Sequence, residues 1–205
     1  MGGSHLRERP GKIEMSMRAT YMFALRYGGV ATFYMRHDGY PTGAALYLLA
    51  AHLSDAPASL ADRFHRVNKD AELASPEGHK DLSYRYAIDV NGHLFAYQLE
   101  SRTDEWDRIF SGHYAEFING HAPAEALGNG PLKLIKTSHT GECREWVTRG
   151  QLITRHAVAV AALSSHRERH PEHVDSIVGY QRAVAALDLA LRQYDEAEDH
   201  RGAQW

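Results

Sequence analysis

The residues best suited to chemistry lie in one polar segment, residues 36–43, where a strand-like pattern ends and a helical pattern begins. Unpaired backbone N–H groups at the start of a helix can bind an anion, and a histidine beside a carboxyl group or a phenol can move protons. The segment holds side chains of these kinds. On a functional interpretation, the ligand- or partner-binding residues are Arg36, His37, Asp38, Tyr40 and Thr42.

The same segment also has a structural interpretation, and the sequence favours it. Asp38 and Gly39 form a turn on this interpretation. Tyr40 packs against the body, and Pro41 makes the start of the helix rigid. Adjacent side chains on an extended strand point to opposite faces, so His37 and Asp38 do not make a simple dyad. We therefore assign no catalytic residue from the sequence.

A second group of candidate ligands is the histidine cluster His166, His170 and His173. Two histidines one helical turn apart can bind zinc or nickel through imidazole nitrogens. Pro171 interrupts the helical pattern inside the cluster, and neighbouring arginines add positive charge beside any cation. We expect a solvated polar tip with no metal and no cofactor, and the three histidines are the weak metal candidate.

The composition describes a folded chain with few clues to chemistry. The chain has 205 residues, 43% of them hydrophobic, so it can bury a core. A single cysteine, Cys143, excludes an internal disulfide and fits a reducing cytoplasm. A formal charge of −3 makes nucleic acid an unlikely partner. No run of apolar residues is long enough for a membrane span, so we expect a cytoplasmic protein with no membrane contact.

Alternation of side chains predicts two β-hairpins in the first half of the chain. Residues 17–27 and 30–36 flank Gly28-Gly29, and residues 84–90 and 93–99 flank Asn91-Gly92. A further short strand is predicted at residues 106–110, and a β-like stretch at residues 132–135. The helix after Pro41 has Thr42 as its predicted N-cap, and Ser59 caps a second short helix.

The last third of the sequence predicts a long helical hairpin. Its first helix has an apolar stripe that we define as Trp146, Gly150, Ile153, Ala157, Val160 and Ser164. The second has Val174, Ile177, Val184, Leu187, Leu191 and Tyr194. The short break at residues 166–171 makes the two helices antiparallel neighbours. Their apolar surface exceeds what a lone pair can hide, which predicts self-association through the C-terminal helices.

The predicted fold class is therefore α+β. An antiparallel sheet of two hairpins, in simple meander order, carries one or two covering helices and is followed by a long C-terminal helical hairpin. We divide the chain into an unstructured appendage at residues 1–14, an α+β domain at residues 15–140 and the helical hairpin at residues 141–205. The appendage is assigned because residues 1–14 are polar and show no periodicity.

Residues 15–21, Met-Ser-Met-Arg-Ala-Thr-Tyr, and the turn at residues 34–43 together resemble a group of phage and prophage-associated bacterial proteins. Those proteins begin with a Met-Ser-x-Arg-Ala/Ser-Thr segment and carry an Asp-Gly-Tyr-Pro-x-Gly turn after the first hairpin. The resemblance covers roughly residues 15–53. It implies a native start at Met15 and a gene carried by a mobile element, and it implies no activity.

Two functional hypotheses follow. The first is a non-enzymatic interaction protein of phage or prophage type that binds a host macromolecule, such as a host protein, as a homo-oligomer. The second is a small enzyme or ligand-binding protein whose site lies around His37, Asp38 and Tyr40. A deep cleft containing these three side chains would favour the second hypothesis, and a flat exposed surface would favour the first.

Overall fold

The structure, a computed structural model, describes residues 17–75, 79, 81–128, 130–136 and 144–202. The predictions about residues 1–14, the start at Met15 and Cys143 lie outside the described residues. The strands are β1 (Ala19–Ala24), β2 (Val30–Met35), β3 (Glu72–Leu73), β4 (Tyr84–Ile88), β5 (His93–Glu100), β6 (Glu105–His113), β7 (Lys133–Lys136) and β8 (Arg144–Val147). The helices are α1 (Pro41–Leu53), α2 (Leu60–Val67), α3 (Tyr114–His121), α4 (Arg149–Arg169) and α5 (Val174–Gly202).

The α+β class and the C-terminal helical hairpin are confirmed. Six strands form one sheet in the order β3-β2-β1-β4-β5-β6, and β7 and β8 form a separate two-stranded sheet. Both predicted hairpins are present, and Gly28, Gly29 and Gly92 have the positive φ angles that their turns require. The predicted strand at residues 106–110 is β6, and the β-like stretch near residue 132 is β7.

The sheet differs from the predicted antiparallel meander, because β1 and β4 are parallel, with Tyr21 opposite Tyr86, and because β3 adds a further strand beside β2. The sheet is therefore mixed, and the simple meander order is wrong. The reason is the long connection through α1 and α2, which carries the chain back across the sheet before β4 begins. A crossover of this kind is what a parallel pair needs. The carboxyl ends of β1 and β4 consequently lie at the same edge of the sheet.

The main core is aromatic and lies between the sheet and the helices α1, α2 and α3. Alternate residues of β1 and β4 supply it, and Tyr21 and Tyr86 stack with ring centres 5.0 Å apart. Phe64 of α2 is fully buried and packs on Tyr21, Phe23 and Phe33. These contacts hold the C-terminus of α1 and the N-terminus of α2 near the edge of the sheet that is formed by the carboxyl ends of β1 and β4.

The helix starts show which side chains cap them. The predicted cap Thr42 is wrong, because α1 begins at Pro41 and its N-cap is Tyr40, which makes no side-chain capping bond. Proline needs no backbone donor in the first turn and so sets the start one residue earlier. Ser59 is confirmed as the cap of α2, since its hydroxyl accepts from the backbone of Asp62. His113 and Thr148 cap α3 and α4.

The hairpin of α4 and α5 is held at its base by a second, small core. Leu152, Ala190 and Tyr194 are buried there against Ile135 of β7 and Val147 of β8. The main-chain oxygen of Tyr194 also accepts a hydrogen bond of 2.7 Å from the buried Lys133 amine. The base therefore depends on the two-stranded sheet. The predicted boundary between residues 140 and 141 falls outside the described residues, and the domain division stays a prediction.

The face of α4 that contacts α5 lies about one residue away from the predicted apolar stripe. Ile153, Ala157 and Val160 are exposed, whereas Leu152 is buried and His156 is paired with Asp188 of α5 at 2.9 Å. Side chains of both polarities thus occupy the contact between the helices, and periodicity of apolar residues could not locate it. The predicted stripe of α5 lies mostly on the contact side. No helix in the described part of the chain has the length and apolar character that a membrane crossing requires.

Candidate ligand-binding cleft

The predicted site residues lie on an exposed turn. Arg36 pairs with Glu72 of β3 at 2.9 Å, and His37, Asp38 and Tyr40 are exposed. Thr42 is half-buried in the first turn of α1. The structure brings these residues together in space, but they line neither of the two cavities described below.

Packing explains the residue types of this turn. Asp38 has a left-handed φ of 55°, and the backbone N–H of Gly39 donates to the carbonyl of Met17 at 2.8 Å. The buried hydroxyl of Tyr86 donates to the carbonyl of Gly39, also at 2.8 Å. A Cβ atom at Gly43 would overlap the carbonyl oxygen of Asp38. The glycines therefore serve close backbone contacts, and the binding role of residues 36–42 stays a prediction.

A cleft lies instead at the edge of the sheet where the parallel strands β1 and β4 end. A cavity of about 1010 Å³ is bounded there by residues 23–27, 56–63 and 88–92, with His113 and Tyr114. A second cavity of about 240 Å³ shares Arg63, His113 and Tyr114 with the first. Ligands commonly bind outside the carboxyl ends of parallel strands. We refer to the two cavities together as the cleft.

His52 and Tyr114 form a buried pair in the wall of the smaller cavity. The Nδ1 atom of His52 lies 2.8 Å from the hydroxyl oxygen of Tyr114. Burial, with the charge of Arg63 as the next cause, lowers the pKa of His52 to about 4, while burial raises the pKa of Tyr114. Both side chains are therefore neutral at pH 7. Nε2 of His52 is buried and has no hydrogen-bond partner among the described residues, although the Trp146 backbone is close enough to favour the charged form.

Arg63 lines both cavities, whereas Arg26 lines the larger cavity and Arg155 the smaller one. The Nη1 atom of Arg63 donates to the carbonyls of His52 and Ser54 at the end of α1, each at 3.4 Å, and these bonds hold the guanidinium in place. Its Nε is buried without a partner among the described residues. None of the ion pairs in the described part of the chain involves Arg63.

The far wall comes from α3, β8 and α4. His113 accepts the backbone N–H of Ala115 at Nδ1, and its ring stacks on Trp146 with centres 5.0 Å apart. Burial lowers the pKa of His113, which keeps this imidazole neutral as well. Arg155 closes the wall and is neutralised by Glu145 at 2.8 Å. The C-terminal part of the chain thus completes the smaller cavity.

The sequence interpretation missed every one of these residues. His52, Arg63, His113 and Tyr114 come from different elements, and no spacing rule joins them. The one available signal was a histidine at the end of the otherwise apolar helix α1, a position that buries it. A search for the predicted motif instead led to the turn, where the unusual residues serve the backbone.

Fold and site together define an α+β protein with a cleft that contains Arg63 at the edge of a mixed sheet. Comparisons with protein-family models, with curated proteins and with solved structures found no match to this chain. Its function is therefore inferred from the geometry of its own residues.

Proposed function

We propose that this protein binds a small anionic ligand in the cleft, with a carboxylate or phosphate group against Arg63. The observation that carries the proposal is the Nε atom of Arg63, which is buried without a hydrogen-bond partner among the described residues, on a side chain that lines the smaller cavity together with His52. A buried polar atom left without a hydrogen bond costs about 1–3 kcal/mol. An occupant that accepts a hydrogen bond from this atom is therefore favoured.

The hydrogen-bond pattern supports an oxyanion as the ligand, because the site offers donors. When the hydroxyl of Tyr114 donates to Nδ1 of His52, the neutral ring carries its proton on Nε2. Nε2 and the Nε of Arg63 are then both donors, and a carboxylate or phosphate offers the acceptors. The charge of Arg63 strengthens such bonds in a partly dehydrated site.

The larger cavity accommodates the remainder of the ligand. Its walls include the apolar side chains of Phe23, Leu60 and Ile88. Two carboxylates also line it, but both are engaged: Asp62 with the hydroxyl of Ser59, and Asp89 with backbone N–H groups of its own turn. An apolar body carrying one anionic group matches this distribution of polarity.

The proposal is tested by titrating the full chain with inorganic phosphate, acetate, benzoate and phenyl phosphate, followed by NMR. We expect phenyl phosphate or benzoate to bind more tightly than the smaller anions. Arg63→Gln should weaken that binding about tenfold or more. Arg66→Gln is the matched control, because Arg66 lies on the same helix and is exposed. Equal effects of the two substitutions, or no saturable binding of any of the four anions, would contradict the proposal.

We propose as a second function a cytoplasmic interaction protein of phage or prophage type that acts as a homo-oligomer on a host macromolecule; α4 supports the self-association in this proposal and no other part of it. Ile153 and Val158 of this helix are 46% and 65% exposed. Residues 157–165 carry no charged side chain. Two copies of such a surface can meet without charge repulsion, so the occupant we propose is a second copy of this chain.

Light scattering coupled to size exclusion tests self-association. We expect a mass above the 23.0 kDa of one chain, and a fall toward that mass in Val158→Glu. Gln181→Glu is the control, since Gln181 is an exposed polar residue of α5, outside the proposed surface of α4. A single-chain mass for the unsubstituted protein at tens of micromolar would contradict self-association.

A further inference from the structure

The connection between α4 and α5 gathers metal-ligating side chains at the end of the hairpin farthest from its base. α4 ends at Arg169 and α5 begins at Val174. Within the connection, the backbone N–H of His173 donates to the carbonyl of His170 at 3.0 Å, which folds the chain tightly. One ligand atom each from His170, Glu172 and His173 lies within 4.8 Å of the others.

The distances within this group match those around a tetrahedral ion. Glu172 Oε1 lies 3.6 Å from His170 Nδ1 and 3.5 Å from His173 Nε2. Two donors that share a zinc ion at bond lengths of about 2.1 Å are about 3.4 Å apart. The present geometry therefore needs little adjustment to hold an ion between the two imidazoles and the carboxylate.

His166, one helical turn before His170, is in position to supply the fourth ligand. Its ring centre lies 5.4 Å from that of His170 and 5.7 Å from that of His173. Imidazoles that point at one zinc ion hold their centres about 5 Å apart. The Nε2 atom of His166 is buried and has no hydrogen-bond partner in the described part of the chain. A rotation of this side chain toward the other three satisfies that atom.

We propose that the tip of the hairpin binds one divalent transition-metal ion, of which Zn²⁺ is the representative, through His166, His170, Glu172 and His173. Three imidazoles and one carboxylate suit Zn²⁺, Co²⁺, Ni²⁺ or Cu²⁺, whereas Mg²⁺ and Ca²⁺ prefer oxygen ligands. The ion joins the end of α4 to the start of α5. It fastens the half of the hairpin that the small core at the base does not reach.

The sequence analysis expects a solvated tip, with the three histidines as the weak metal candidate. The proposed site adds Glu172 to those histidines. The carboxylate enters the group because the chain turns at Pro171, which places residues 170, 172 and 173 on one side of the connection.

Isothermal titration of the full, chelator-treated chain with Zn²⁺ tests the site, and the visible absorption of Co²⁺ reports tetrahedral geometry. We expect one equivalent of Zn²⁺ to bind and to raise the melting temperature. His170→Gln, His173→Gln and Glu172→Gln should each weaken binding about tenfold or more, and His166→Gln should abolish the tetrahedral Co²⁺ spectrum.

The chain offers two matched controls, Glu168→Gln at the same tip and His65→Gln on an exposed face of α2. Both should bind Zn²⁺ as the unsubstituted chain does. Circular dichroism of each variant separates a lost ligand from a lost helix. The proposal is overturned if Zn²⁺ affinity is the same in His170→Gln and Glu172→Gln as in the two controls, or if no saturable binding occurs below millimolar Zn²⁺.

Discussion

The α+β body and the C-terminal hairpin differ in how completely they bury their side chains. In the body, large aromatic side chains such as Tyr21, Phe64 and Tyr86 are fully buried between the sheet and three helices. In the hairpin, Leu152 is the one buried residue of the 21 in α4, a helix that is described throughout. The body is therefore held by a large core, whereas the buried apolar contacts of the hairpin are concentrated at its base.

The two regions also differ in the solvent exposure of their ionisable side chains. The body holds His52 neutral in a low-dielectric wall, next to a cation that no described carboxylate neutralises. The hairpin keeps its charged groups near solvent, as in the pairing of Arg149 with Asp195, whose side chains are both about half-exposed. The buried polar residues of the cleft therefore belong to the body, and α4 completes the smaller cavity.

The largest expected difference between the regions is in the cost of truncating a packed side chain. Phe64→Ala should destabilise the protein by about 3–5 kcal/mol, because it removes a ring that packs on three other aromatic side chains. Leu163→Ala in α4 should cost about 1 kcal/mol, because that residue is only half-buried. Urea unfolding measures both. Equal costs would show that the hairpin is packed as firmly as the body.

A second expected difference is a loss of stability in acid that originates in the body. The imidazole of His52 titrates near 6.5 in the unfolded chain, and its pKa in the folded chain is lowered to about 4. Between these values the unfolded state binds a proton that the folded state does not. The contribution of neutral His52 to the free energy of unfolding is therefore complete above pH 6.5. It is lost as the pH falls to 4, by an amount on the order of 3 kcal/mol.

The variant His52→Gln keeps a hydrogen-bonding group near Tyr114 and removes the titration. Urea unfolding at pH 7.5 and at pH 5 should show a smaller loss of stability in this variant than in the unsubstituted chain. Some pH dependence remains, because burial also lowers the pKa values of His113 and His121. An unchanged slope in His52→Gln would mean that the pKa of His52 is the same in the folded and the unfolded chain, which would contradict its burial in the neutral form.

The sequence predicted the elements better than their arrangement. Alternation and Gly-Gly or Asn-Gly turns located both hairpins, because those signals are local. The parallel pairing of β1 and β4 could not be predicted in the same way, because it depends on where a connection of two helices returns the chain. β3, only two residues long, lies in a polar segment without alternation of apolar and polar side chains. Its pairing with β2 leaves no periodic trace.

The candidate cleft lay outside what the sequence could indicate, for the same physical reason. Tyr114 and His52 are 62 positions apart, and only the packing of α3 against α1 brings them within 2.8 Å. The histidine cluster, by contrast, was visible because its members are neighbours along the chain. Local ligand sets can be read from spacing, whereas a site assembled from the ends of several elements requires the fold.

The smallest expected effects concern the turn of residues 36–43, and they separate its structural role from a binding role. Asp38 has a φ of 55°, a conformation that alanine tolerates poorly and glycine adopts readily. Asp38→Ala should therefore cost about 1 kcal/mol, and Asp38→Gly should change the free energy of unfolding by less than that. Tyr40→Phe, at an exposed position, should be close to neutral. Ligand titration and light scattering on the same three variants should show no change beyond the loss of stability. A loss of ligand binding or of self-association in Tyr40→Phe, at unchanged stability, would instead assign the turn to a binding surface and extend the functional part of the body beyond the cleft.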